Sequence, residues 1–112
     1  MIRLTTAMWF AIFMRQERER GAFVTVARTG AQQAGAVFVL QNHLDGTASL
    51  YGPSPQSMFR ESETGRLFEK ILTGASMPEV EAYIAKQVAF DPDLWVIETE
   101  SGEGDPSLEV IE

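Results

Sequence analysis

The chain contains no cysteine and only one histidine, His43. Without cysteine there is no disulfide, no thiol nucleophile and no thiolate metal site. A single histidine leaves "NHLDG" without the partners that metal sites usually draw on, and it removes a Ser-His-Asp hydrolase, since no G-x-S-x-G elbow surrounds any serine. No phosphate-cradling loop of the G-x-x-x-x-G-K-[ST] type is present, nor a G-x-G-x-x-G turn after a strand. We therefore expect no cofactor and no metal. Basic residues are also scarce: nine Lys and Arg stand against sixteen Asp and Glu, a formal net charge of -7. That balance argues against holding a nucleic-acid backbone and against a polybasic membrane patch. No apolar run approaches the ~20 residues needed to cross a bilayer. "AMWFAIFM" at residues 7–14 is followed at once by "RQERER", not by the small residues of a cleavage site, so it reads as a helix instead of a signal peptide. A cytoplasmic protein is the simplest reading.

With 112 residues and 45% apolar content, the chain has the size and the material for one core. Leu4, Met8 and Ile12 repeat at i, i+4 and i+8, with Trp9 and Phe13 widening the stripe. Thr5 or Thr6 can cap this helix and Gly21 can end it. Its apolar residues surround nearly the whole circumference, as in a buried helix. "AFVTVAR" (22–28), "AVFVLQ" (36–41) and "TASLY" (47–51) read as strands, the second covered on both faces. Short connections between them predict an antiparallel meander. "RLFEKIL" (66–72) reads as the second strand of a hairpin closed around Thr64 and Gly65 with "SMFRE" (57–61), a short helix being the alternative. Ser76 with Glu79 three residues on forms a capping box, with Pro78 in the first turn. Val80, Ile84 and Val88 then repeat every four residues, predicting a helix over 78–89. "LWVIET" (94–99) closes the chain as a strand. The fold class is α+β: an N-terminal helix, an antiparallel meander, a second helix and a C-terminal strand packed as a two-layer sandwich. Both helices are expected on one face, with the other partly open. The domain is expected over 1–100, followed by an acidic tail over 101–112. Like-charge blocks of this kind are usually solvated, the alternative being that the tail folds back onto the arginines of the first helix.

The functional candidates are few. Asp91 and Asp93 read as turn residues around Pro92, Trp9 and Trp95 as core, and Arg15, Arg18 and Arg20 as charges suited to a helix C-terminus. "LYGPSPQ" (50–56) is more specific than a corner requires. Tyr51, Pro53, Pro55 and Gln56 there form a stiff loop able to present a side chain and an amide to a partner. A second grouping, His43, Asp45, Tyr51 and Arg15, would serve a small ligand or a minor enzyme if it converged in one pocket.

The N-terminal helix, "AGAVFV", "LYGPSPQ" and "FDPDLWVIE" together resemble a family of short bacterial proteins, domain-of-unknown-function family 1491. The resemblance spans Leu4 to Glu100 and leaves the tail outside. It implies a bacterial, cytoplasmic protein of alphaproteobacterial type, and it carries over no activity, substrate or catalytic residue. The expectation is thus a small non-catalytic interaction or accessory module with a protein partner, forming a homodimer through an open sheet face or edge strand. The alternatives are the ligand site near His43, Tyr51 and Arg15, and an acidic tail acting as a mimic on a basic partner surface.

Overall fold

The computed structural model describes residues 5–32, 35–55, 66–101 and 104–111. Its elements follow the order α1 (Thr6–Glu19), β1 (Phe23–Arg28), β2 (Val37–Asn42), β3 (Thr47–Pro53), β4 (Phe68–Ser76), α2 (Met77–Phe90), β5 (Trp95–Glu100) and β6 (Val110–Ile111). Among the described residues, two helices with one six-stranded mixed sheet make this an α+β fold. The segment at 66–72 resolves in favour of a strand, while "SMFRE", Thr64 and Gly65 lie outside the described residues.

Local chemistry accounts for the helix ends. Thr5 Oγ1 accepts a hydrogen bond from the Met8 amide at 3.2 Å, which selects Thr5 as the α1 cap. Ser76 Oγ accepts from the Glu79 amide at 3.3 Å and donates to its carboxylate, so the expected cap starts α2. The buried line of α1 is Thr6, Trp9, Phe13 and Glu17, one step round from the predicted stripe, and Met8 is 53% exposed. Thus α1 is an amphipathic helix with one covered face, and a carboxylate lies on that face.

The sheet order is β1-β5-β2-β3-β4-β6. β2, β3 and β4 form the antiparallel meander, whereas β1 and β2 are separated by β5. β5 runs parallel to β2 and antiparallel to β1. Proximity in sequence misplaced β1, because its true partner arrives only after α2. The loop from β1 to β2 must therefore cross the start of β5, and it does so in contact. The Ala31 amide donates to the Asp93 carbonyl at 2.9 Å, and the Trp95 amide donates to the Ala36 carbonyl at 2.7 Å. A Cβ at Gly30 or Gly35 would fall 2.1 Å or 2.3 Å from the Asp93 carbonyl oxygen, so this crossing admits only glycine at both points.

The helices lie on opposite faces, which corrects the two-layer arrangement to three layers. Alternation along β2 sends Val37 and Val39 toward Trp9 and Phe13 of α1, with Tyr51, Phe68 and Ile97. Phe38 and Leu40 point the other way and join Leu50, Val96 and Val80 of α2. Central strands covered twice explain why β2 reads as one continuous apolar run.

The acidic segment also differs from a solvated tail. Pro106 is buried, Leu108 packs on the α1-side cluster, and β6 pairs parallel with β4 through Phe68↔Val110 and Glu69↔Ile111. The fold-back alternative describes these residues better, although its anchor on α1 is a glutamate as much as an arginine.

Candidate functional site

Glu17 is fully buried, and both of its oxygens are occupied. Arg20 grips it bidentately, Nε to Oε2 at 2.7 Å and Nη2 to Oε1 at 2.8 Å. Thr99 Oγ1 donates to Oε1 at 2.7 Å, while the Ser107 amide and hydroxyl donate to Oε2 at 2.9 Å and 2.8 Å. Burial alone would push the Glu17 carboxyl up; the hydrogen bonds from Arg20, Thr99 and Ser107 outweigh it and hold the group below its ordinary value. The Arg20 guanidinium is held more basic by its bond to Glu17, and its Nη1 reaches Ser101 Oγ at 3.1 Å. A carboxylate with every lone pair engaged is a tether, not a general base. It joins α1, β5 and the last segment. Nothing in the sequence pattern marks Glu17 beyond its place four residues after Phe13.

The predicted site residues are dispersed. His43 sits at the β2–β3 turn, with Nε2 2.8 Å from Ser49 Oγ. Asp45 is in the same turn, its carboxyl held low by hydrogen bonds from the Thr47 hydroxyl and amide. Pro53 ends β3, roughly 20 Å from that turn at the usual rise per strand residue. Tyr51 is 2% exposed and packs in the α1-side cluster, with Lys70 Nζ 5.6 Å from its ring centroid. Burial, reinforced by the Asp105 charge and opposed by Arg20, raises the Tyr51 phenol, so it stays protonated at neutral pH. Arg15 is exposed on α1. His43, Asp45, Tyr51 and Arg15 therefore do not meet in one pocket. Pro55 is exposed beyond β3, and Gln56 lies outside the described residues.

Two other features stand out. A cavity of about 310 Å³ opens between α2 and the sheet beside Pro53. Its walls include Ala36, Phe38, Ile71 and Leu94, and its polar lining is Glu69, Tyr83, Gln87 and Asp91. Gly52 lies directly beneath this region: a Cβ there would stand 2.5 Å from Ile71 Cδ1 and 2.8 Å from Phe38 Cε2. The glycine of "LYGPSPQ" is thus required by side chains packed across it. Tyr83, Gln87 and Asp91 are spaced i, i+4, i+8, a polar row beside the apolar row of Val80, Ile84 and Val88. That spacing was the available sequence signal for this wall.

The second feature is the outer edge of β1. β1 is the first strand in the sheet order and pairs only with β5 among the described residues. Phe23 is 59% exposed and Val26 is 40% exposed along it. Among the described residues no group of three or more His, Asp or Glu is arranged to hold a metal, and no helix is long and apolar enough to cross a membrane.

Comparison with known proteins places this architecture. The solution structure of protein Atu0922 from A. tumefaciens is similar with a TM-score of 0.85 and 36% identity, over 99% of this chain and 97% of that one. A crystal structure of a DUF1491 family protein from Caulobacter crescentus CB15 gives a TM-score of 0.78 and 31% identity, over 99% of this chain and 100% of that one. An NMR structure of a DUF1491 family protein from the same organism gives 0.73 and 30%, with both chains covered fully. A search of curated proteins gives no match. A family model described as "Protein of unknown function (DUF1491)" matches residues 4–109, so the similarity runs beyond Glu100 and includes most of the segment expected to lie outside it. With the family model matching nearly its whole length, and with these bacterial structures repeating its fold, the chain belongs to the DUF1491 family.

Proposed function

We propose that the chain is a small non-catalytic interaction module of the bacterial cytoplasm, which forms a homodimer by pairing β1 with β1 of a second copy. The observation that carries this reading is the edge of β1. Among the described residues its backbone is paired on one side only, and from Phe23 to Ala27 its side chains carry no charge against edge-to-edge association. The one charge of the strand, Arg28, lies past the irregularity after Val26 and donates to the Pro92 carbonyl. The opposite edge of the sheet is guarded at the start of β4. β6 covers the start of β4, and Lys70 stands exposed on β4 beside it. In an antiparallel pair, directly opposed residues share a face. A twofold axis normal to the sheet at Thr25 sets Val24 of each copy opposite Val26 of the other and continues the sheet without a break. The mimic reading for residues 101–112 loses support, because Ser107, Leu108 and Val110 are engaged within the fold. Sedimentation over a range of protein concentrations tests the proposal. The wild type should sediment as a dimer and Val26→Lys as a folded monomer. A wild type that stays monomeric throughout, or a variant that stays dimeric, rejects it.

A further inference from the structure

The cavity beside Pro53 combines an apolar floor with a mouth of one sign. Phe38 and Leu94 are buried beneath it, at 7% and 1% exposure, and Ala36 and Ile71 complete an apolar wall. The ionisable groups that line it are Glu69 and Asp91, from the sheet and from the end of α2, together with the Tyr83 phenol. No Lys, Arg or His lines it among the described residues.

The end of α2 adds to this charge. Helix C-termini carry partial negative charge on their free carbonyls and favour cations nearby. The last turn of α2 has no basic residue, and its C-cap is Asp91. Asp91 Oδ1 accepts from the Asp93 amide at 3.1 Å, which holds the carboxylate in place and leaves lone pairs over. Asp91 thus sets a carboxylate at a helix end that favours cations, while the nearby Arg28 guanidinium donates through Nη2 to the Pro92 carbonyl at 2.8 Å; a cation seated at the mouth relieves this local conflict. Glu69 faces the same space from β4, and Tyr83 brings an aromatic ring to the same wall.

We infer that this cavity binds a small organic cation: a primary ammonium or guanidinium group on a short unbranched alkyl stem. The stem lies on Phe38, Ile71 and Leu94, and the head lies between Glu69 and Asp91. A volume of about 310 Å³ is at the bottom of the range for ligand pockets, which suits a stem of a few carbons.

The test is an NMR titration of the full chain, labelled with ¹⁵N, using n-butylguanidinium and n-butylammonium, with n-butanol and butyrate as controls of the same stem. The cations should shift the amides of Ile71, Tyr83, Gln87 and Asp91, and the controls should not. Asp91→Asn and Glu69→Gln should each weaken the cations about two- to fivefold, the range for one partly exposed charge pair, with melting temperatures unchanged. Butanol shifting the same amides equally would overturn the proposal, as would unaltered affinity in both variants. Tighter capture of an arginine-bearing peptide than of the free cation overturns the small-molecule assignment. The site does not rest on β1 pairing: Val26→Lys should retain cation binding whether or not the wild type dimerises.

Discussion

The two faces of the sheet are closed by different chemistry. Under α2 the cluster is apolar throughout: Phe38, Leu40, Leu50, Val80, Leu94 and Val96 meet side chains of the same kind. Under α1 the aromatic cluster of Trp9, Phe13, Tyr51 and Phe68 is bordered by buried polar groups, with Trp9 and Phe13 stacked at 5.0 Å. Three of those groups, Glu17, Gln41 and Thr99, serve the last segment of the chain. Glu17 holds Ser107, Thr99 holds Glu17, and Gln41 Nε2 donates to the Gly104 carbonyl at 2.6 Å. The difference follows from the pieces being held. α2 is tied by the chain itself between β4 and β5 and needs only surface to bury. The last segment has a two-residue strand and few apolar side chains, so directional bonds to a buried carboxylate substitute for area.

The strongest way to break this contrast is Glu17→Ala. It strands a half-buried Arg20 and unties three elements, so we expect a loss of about 3–5 kcal/mol by chemical denaturation. Proteolysis should then open residues 104–111 while the α2 face remains protected. The same bond network sets a pH dependence. Because the folded carboxyl lies below its unfolded value, its contribution is complete above the ordinary glutamate value of about 4.3 and is lost as pH falls through the lower folded value. Equilibrium denaturation as a function of pH should show this acid loss in the wild type and a shallower one in Glu17→Ala. Leu50→Ala tests the other face. A fully buried leucine cut to alanine should cost about 2–5 kcal/mol through transfer and cavity terms, with no added cleavage at 104–111. Last in size is Ser76→Ala, which removes the α2 cap and should cost about 0.5–2 kcal/mol in a thermal melt.

What the sequence made legible was local. The Ser76–Glu79 cap, the 80-84-88 apolar row, the β2–β3 hairpin and the Asp91–Asp93 turn each depend on neighbours within a few positions, and each formed. The facing of the helices was hidden because a run such as Val37–Leu40 has no polar alternate to say which side is covered. The insertion of β5 was hidden because it depends on the competition of distant strands for β1. Glu17 was masked by its own surroundings in "RQERER", where every charge looks solvated. The candidate cavity was half legible. "LYGPSPQ" marked its rim at Pro53, but Tyr51, the residue singled out as a contact, turned inward because both faces are covered.

The place of β5 between β1 and β2 also has a consequence for the order of events during synthesis. β1 leaves the ribosome well before its only partner among the described strands, which begins at Trp95. Until then it has no sheet to join, and its apolar side chains stand unguarded beside those of other nascent chains. β2, β3 and β4 can zip together as they emerge and offer α1 the surface of Val37, Val39, Tyr51 and Phe68, while β1 waits for β5. The place of β1 in the sheet is therefore open until β5 exists, so a strand made before its sheet partner is among the last that can be paired.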